Sequence, residues 1–443
     1  MFTYIKLKNF MSLKDITLNL RESQKKNKKF VAIYGENGCG KTNLVTAFDA
    51  LGRILFSKVA YKTLKDMPKN YKQVKEYLEN TELVPEIFYL FQGINGLRMI
   101  GEKEPTEMEY GFEIDGCEGY YYIKFEDKII EERLYYKDNK KRNNHFNIKQ
   151  NDENIEYKLN TNIFNGKKYR TELEEQINKY WGIHSFLSIL YEEMTNKNES
   201  FIVENISANL IKVINELSNI TVRLDKKNNL SMFDNMWNTF ELEEGEIEKD
   251  KQNLLDKYEK VLNLFFTQGY ADIKSIHYEK NYTGDSVEYK LYFRKIIAGK
   301  VREIYYKDES SGTRRILGIF NNLVKAINGK VVVIDEIDNG IHDLLIKNII
   351  MSIKEEITGQ LIITTHNTLL LETLPAKELY IITSNYNGEK EVNCITDYDL
   401  KIQKNHHNIR DLYLKGVFGG TPIGEYIDFD QIKNVLNSEE VKN

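Results

Sequence analysis

At 443 residues, with 41% hydrophobic and 29% charged side chains, the chain is long enough for about three units of about 150 residues and has a globular composition, not a disordered or collagen-like one. Lys+Arg 62 against Asp+Glu 67 leave a formal net charge of -5, which excludes a global positive field. DNA is therefore not indicated by charge, and any site for it would be a local patch.

Three cysteines, Cys39, Cys117 and Cys394, are odd in number and far apart, which fits a reduced cytoplasm better than a disulfide framework. The opening MFTYIKLKNFMSLKDITLNL is broken by charge every few positions and predicts no signal peptide, so the mature chain is expected to start at or near Met1. The longest apolar runs fall far below the roughly 20 residues of a membrane-spanning helix, and no membrane contact is expected.

Residues 1–34 alternate through Phe2, Tyr4, Ile5 and Leu7, then Ile16, Leu18 and Leu20, then Phe30, Val31 and Ile33, predicting three short strands. The third runs into YGENGCGKT, after which Leu44, Val45, Ala47, Phe48, Leu51, Ile54 and Leu55 fall at helical spacing. From about Leu83 to Leu159 strand alternation returns, as in Met108, Tyr110, Phe112, Ile114 and Tyr121, Ile123, Phe125, with turns at Asp115-Gly116 and Glu126-Asp127. This predicts an antiparallel β lobe, interrupted by a solvated basic loop over Lys137–Asn144.

Residues 171–266 read as mostly helical and compact, with Ile247, Leu254, Tyr258, Val261 and Phe265 spaced as a packed seam. Strands at Ile273–His277, Tyr289–Phe293 and Arg302–Tyr306 precede SSGTRRILGIFNNLVKAI, a polar loop entering a helix. The strand Val331–Ile334, a helix and the strand Leu361–Thr364 follow. That alternation implies a largely parallel sheet. The expected organisation is an N-terminal lobe over 1–170, a helical insertion over 171–270 and a C-terminal lobe over 271–443.

Gly35-Glu-Asn-Gly-Cys-Gly40-Lys41-Thr42 fits G-x-x-x-x-G-K-[ST] at every fixed position, between a strand and a helix. Glycines let successive N–H groups and the helix N-terminus face a triphosphate, Lys41 reaches the β/γ-phosphates, and Thr42 can ligate Mg²⁺. The nucleotide-binding candidates are thus Gly35, Asn37, Gly38, Gly40, Lys41, Thr42 and Asn43.

Asp335, at the end of the apolar run Val331–Ile334, is the candidate second Mg²⁺-side ligand, and Glu336 directly after it is the candidate general base that orients the attacking water. His366, in Thr364-Thr365-His366 after the next strand, could stabilise charge at the γ-phosphate. Ser310, Ser311 and Gly312 open a helix, where hydroxyls and N–H groups make an anion site or, more simply, an N-cap.

In chain order the glycine loop, Ser310–Gly312, Asp335-Glu336 and His366 resemble the ABC-type ATPase heads. The resemblance implies an α/β P-loop head with a mixed sheet, an antiparallel β lobe and a compact helical insertion. It also implies ATP and Mg²⁺ as cofactors, and a head-to-tail homodimer or higher homo-oligomer in which Ser310, Ser311 and Gly312 of one copy complete the site of the other. Ser-Ser-Gly-Thr departs from the transporter signature. Together with Asp338-Asn-Gly-Ile-His342, the opening Leu7–Ser12 and Leu412–Pro422 near the end, it resembles the stand-alone ATPases of overcoming-lysogenization-defect, recombination-repair and abortive-infection kinds. Even a 40-residue helix spans only about 60 Å, too short for the coiled-coil arms of chromosome-organising ATPases.

The implied function is a cytoplasmic ATP-hydrolysing switch that controls a separately encoded effector, such as a nuclease, in anti-phage defence. The alternatives are an ATP-gated scaffold that sequesters a toxic partner with little turnover, or a DNA-repair type ATPase. Gln92 is the spaced candidate for a γ-phosphate-sensing glutamine.

Overall fold

The computed structural model describes residues 1–24, 26–66, 93–94, 96–138, 141–152, 154–224, 241–398, 408–421 and 427–438. Gln92 and Pro422 lie outside them. Strands β1 (Phe2–Phe10) and β2 (Leu13–Asn19) are followed by a small hairpin, β3 (Arg21–Ser23) and β4 (Lys26–Asn27), then by β5 (Phe30–Tyr34) and helix α1 (Lys41–Asp66). Next come β6 (Thr106–Ile114), β7 (Cys117–Phe125), β8 (Ile129–Asp138), β9 (Lys141–Asn151) and β10 (Asn154–Leu159).

The last five strands form the expected antiparallel β lobe. They continue the first hairpin in one antiparallel sheet of order β10-β9-β8-β7-β6-β1-β2, with Ile5 opposite Tyr110 and Leu7 opposite Met108. These inward residues are almost wholly buried, so the register is set by which face meets the core. Asp115 and Gly116 both take positive φ, 51° and 73°, the backbone of a two-residue hairpin turn that matches strand twist. The expected loop over Lys137–Asn144 is mostly strand instead: pairing runs on from Tyr136↔Asn143 to Asp138↔Lys141. A hairpin end carries no apolar alternation, which is why periodicity misses it.

Helices α2 (Lys167–Tyr180), α3 (Phe186–Asn196), α4 (Glu199–Asn205) and α5 (Ala208–Ser218) share one core with this sheet and α1. Ser185 and Ser207 cap α3 and α5, accepting from Ser188 N and Leu210 N. The buried Glu132 carboxylate fastens sheet to helices, accepting from Tyr121 Oη at 3.0 Å, Trp181 Nε1 at 2.8 Å and the first amides of α3, Phe186 N at 2.6 Å and Leu187 N at 3.1 Å. An anion is favoured at a helix N-terminus, and the chain supplies its own.

The helical reading of 171–266 is incomplete. β11 (Ile220–Arg223) and β12 (Glu244–Glu248) fall within it, and a four-residue strand is too short to show a period. The seam also shifts: Ile247 belongs to β12, and α6 (Gln252–Gly269) buries Leu255, Leu262 and Phe266, with Tyr258, Val261 and Phe265 flanking them. The three expected strands are β13 (Ile273–Thr283), β14 (Ser286–Ile297) and β15 (Lys300–Tyr305), with β14 central to a small sheet that includes β12.

The remaining elements are α7 (Ser311–Ile327), β16 (Val331–Ile334), α8 (Asp343–Ile353), β17 (Gln360–Thr364), α9 (Thr368–Thr373), β18 (Leu379–Ser384), β19 (Lys390–Cys394), α10 (Ile409–Leu414) and α11 (Phe429–Ser438). Among the described residues no helix is long and apolar enough to cross a membrane.

The central sheet runs β11-β16-β17-β5-β18-β19, parallel except for the edge strand β19. Its central strands β16, β17 and β5 are buried on both faces, as near-continuous apolar runs should be. Val31, Ile33, Val333 and Ile362 face the first core, whereas Phe30, Ala32, Tyr34, Val332, Ile334 and Ile363 face a second, shared with α6, α7 and β13–β14. The buried Gln360 amide ties this sheet to β1: Phe2 N donates to its Oε1 at 2.9 Å, and its Nε2 donates to Phe2 O and Lys28 O at 3.0 Å.

His184, in the turn between α2 and α3, packs its Nδ1 3.1 Å from Ser57 Oγ on α1. Burial, then the Lys58 charge, pushes its pKa down to about 4. Because the folded value lies below the unfolded one, this neutral imidazole contributes stability above about pH 6.5 that is lost as pH falls toward about 4. Urea midpoints should therefore fall over that window. His184→Gln should flatten this part of the dependence; an unchanged slope would contradict the assignment.

Candidate nucleotide site

The site lies at the carboxyl ends of β5, β17 and β16, three neighbouring parallel strands, where open α/β sheets form their crevices. The loop after β5 enters α1 at Lys41. Gly38 and Gly40 take φ of 80° and 104°, and a Cβ on Gly40 would stand 2.9 Å from Leu13 Cδ2, so conformation and space both demand glycine there. Lys41 is 5% exposed and folds back over the loop, its Nζ donating to Gly35 O at 2.8 Å and Glu36 O at 3.0 Å. Asn37 is exposed, and Asn43 donates its Nδ2 to Ser12 Oγ at 2.6 Å.

Asp335, 2% exposed, meets the loop directly. Thr42 Oγ1 donates to its Oδ2 at 2.8 Å, Thr364 Oγ1 donates to its Oδ1 at 2.6 Å, and its own amide donates to Arg223 O at the end of β11. Among the described residues there is no cluster of three or more His, Cys, Asp or Glu that could hold a metal. One carboxylate beside one hydroxyl is nevertheless the donor set that fits Mg²⁺ held jointly with phosphates and waters, because Mg²⁺ takes hard oxygen ligands and few protein ones.

Glu336 has a left-handed backbone, φ 45°, which costs a non-glycine residue about 1–3 kcal/mol and persists only where neighbours fix it. Two do. Its amide donates to Thr364 Oγ1 at 2.7 Å, and its carbonyl accepts from Arg315 Nη2 at 3.0 Å. His366 donates its amide to the Asp338 carboxylate at 3.1 Å. Burial, then the Lys41 charge, lowers the pKa of its imidazole against the pull of Asp338 and Asp335.

Ser310, Ser311 and Gly312 form the N-terminus of α7. Ser310 is its N-cap, with Oγ accepting from Thr313 N at 3.1 Å. Both serines are exposed. A Cβ at Gly312 would stand 2.8 Å from Gly340 O, so this turn rests on the Asp338–His342 segment of its own chain. Sequence reasoning brings Gly35–Thr42, Asp335, Glu336 and His366 to one crevice, and the structure gathers these there.

It passes over Thr364, Arg315 and the backing of the loop. Thr364 stands in the quoted motif but signals nothing by type. Arg315 sits one helical turn past the serines, where its role depends on the facing strand. The backing is the segment Ile409–Thr421, which overlaps the run Leu412–Pro422 and whose packing behind the loop no residue type announces. Tyr413 Oη donates to Gly420 O at 2.9 Å, and its ring meets Tyr34 edge-on at 5.8 Å. A Cβ at Gly420 would lie 2.4 Å from Ile381 Cγ2 and 3.7 Å from Gly35 Cα. Arg410 reaches Thr368 Oγ1 at 3.1 Å and Glu372 Oε1 at 2.8 Å on α9.

Residues 30–372 match the family described as "AAA domain, putative AbiEii toxin, Type IV TA system". The chain belongs to this AAA-domain family. Its architecture is α/β, with the glycine loop between α1 and β5 of a mostly parallel central sheet.

No curated protein matches in sequence. Similar solved structures include a SmcHead bound to the C-winged helix domain of ScpA (16% identity, 88% of this chain and 96% of that one, TM-score 0.42). The SMC head domain from Thermotoga maritima is 15% identical over 89% and 98%, with a TM-score of 0.38. An Smc head domain with an extended coiled coil, bound to the C-terminal domain of ScpA derived from Pyrococcus furiosus, is 15% identical over 91% and 98%, with a TM-score of 0.40. This AAA-family chain carries its glycine loop within the matched span and the bracing segment Ile409–Thr421 beyond it.

Gly420→Val should overpack Ile381 against the back of the loop and cost about 1–3 kcal/mol. Chemical denaturation checks this; wild-type stability would show that the segment does not pack there.

Proposed function

We propose that this chain binds ATP with Mg²⁺ at the glycine loop and hydrolyses it, closes head-to-tail with a second copy, and uses that cycle to control a separately encoded effector in anti-phage defence. One observation carries the reading: the 2.8 Å bond from the Thr42 hydroxyl to the Asp335 carboxylate beside the buried Lys41. Oxygen ligands from two distant segments meet where a triphosphate would lie. Thr42 and Asp335 would hold Mg²⁺, which when bound would neutralise phosphate charge.

The chain's own residues do the rest. Lys41 rests on two neutral carbonyl oxygens, so it can turn to a phosphate without breaking an ion pair. Glu336 is aimed by Thr364 and Arg315 and accepts the proton of the attacking water. His366, kept neutral near pH 7, offers a donor to charge that develops on the γ-phosphate. Head-to-tail closure is supported by the exposed Ser310 and Ser311, which among the described residues make no hydrogen bond to residues 35–42 of their own chain. The defence role is supported by the toxin and toxin–antitoxin wording of the family's description.

Three variants test this reading. Lys41→Ala should abolish ATP binding by titration and phosphate release with it; wild-type turnover in that variant would contradict the site. Thr364→Val, which removes a bond to Asp335 and one to Glu336, should weaken Mg²⁺-dependent turnover about 10–100-fold with the fold intact. In cells, Glu336→Gln should change the defence phenotype. An unaltered phenotype with turnover abolished would favour the ATP-gated scaffold instead.

A further inference from the structure

One cation beside the glycine loop is unused by the scheme above. Lys390 opens the antiparallel edge strand β19, paired with Ser384 of β18, and β19 also packs on β2. Its Nζ donates to Ser12 Oγ in the β1–β2 turn. The same hydroxyl accepts from Asn43 Nδ2 in the first turn of α1, so Ser12 links the ammonium to the helix that carries the loop.

A Cβ at Gly40 would lie 3.3 Å from Lys390 Cδ and 3.4 Å from its Nζ. The ammonium thus stands in van der Waals range of the loop's last glycine. Cys39 lies within the fields of both Lys41 and Lys390.

Among the described residues no carboxylate pairs with Lys390, and partial burial pushes its pKa down. A partly buried ammonium with only a hydroxyl partner is electrostatically incomplete. A polyphosphate at the N-terminus of α1 would supply the missing negative charge.

We infer that Lys390 is a second cation of the nucleotide site, contacting the phosphate chain of the bound nucleoside triphosphate from the Gly40 side of the loop while Lys41 approaches from the Gly35 side. This rests on the ATP reading above and extends it to a residue beyond both the glycine-loop motif and the matched family span. Ser12 and Asn43 orient the ammonium and are positioning residues.

The test is titration calorimetry of the full chain with Mg²⁺-ADP and with Mg²⁺-ATPγS at low and moderate salt, for wild type, Lys390→Gln, Lys390→Arg and Lys41→Ala. Lys390→Gln should weaken both nucleotides about tenfold and flatten the salt dependence. Lys390→Arg should recover most of the affinity. The nucleotide-free melting temperature of Lys390→Gln should equal or exceed that of wild type, which separates lost contact from lost fold.

Wild-type affinity and salt dependence in Lys390→Gln, with Lys41→Ala defective, would overturn the role of Lys390 and leave the ATP site standing. Equal weakening in Lys390→Gln and Lys390→Arg would also overturn it, by making the effect one of packing. If wild type binds neither nucleotide, the ATP reading itself fails and this inference falls with it.

Discussion

The hydroxyl of Thr42 and the carboxylate of Asp335 stand 293 residues apart in the chain and 2.8 Å apart in space. Everything in the crevice depends on that meeting. It requires β5 and β16 to run parallel with β17 between them, so that the ends of three strands deliver the loop, the Thr364 hydroxyl and the acidic pair to one edge. Thr364 is the hinge of the arrangement: one oxygen donates to Asp335 and accepts from the Glu336 amide. That dual role fixes a strained backbone at the residue proposed to act on water.

The two hydrophobic cores explain how a site can be held this rigidly. Alternate residues of β5 and β16 face opposite cores, so displacing either strand would disturb packing on both sides at once. The first core joins α1 to the large antiparallel sheet and to α2–α5; the second joins α7 and α6 to the small sheet. Arg315 carries the second core's influence to the Glu336 carbonyl. Tyr413 and Gly420 brace the other side of the loop. A change in the glycine loop therefore has physical routes to α7 and to the segment Ile409–Thr421.

What the sequence declares is what local chemistry demands. The glycine loop is legible because positive φ and close backbone approach need glycine at fixed places, and Asp335-Glu336 because the apolar run before them ends abruptly. Pairings across long separations are not legible. Nothing in Phe2–Phe10 says that it lies beside Thr106–Ile114, and β11 is too short to show a period although its last residue, Arg223, accepts the Asp335 amide. Polar hairpin ends hide the strands around Asp138 and Lys141. Thr364 and Arg315 are ordinary residues made special by what faces them, as is Lys390, which takes its meaning from Ser12 and Gly40.

The proposed nucleotide site is one that a second copy completes. The most direct measurement is molecular mass by light scattering of the Glu336→Gln protein with and without Mg²⁺-ATP, repeated with Ser311→Arg added. ATP should double the mass from 52.1 kDa in the single variant, and the added arginine on the exposed end of α7 should prevent this. A mass that ignores ATP, or one that doubles equally well with Ser311→Arg present, would contradict the proposal.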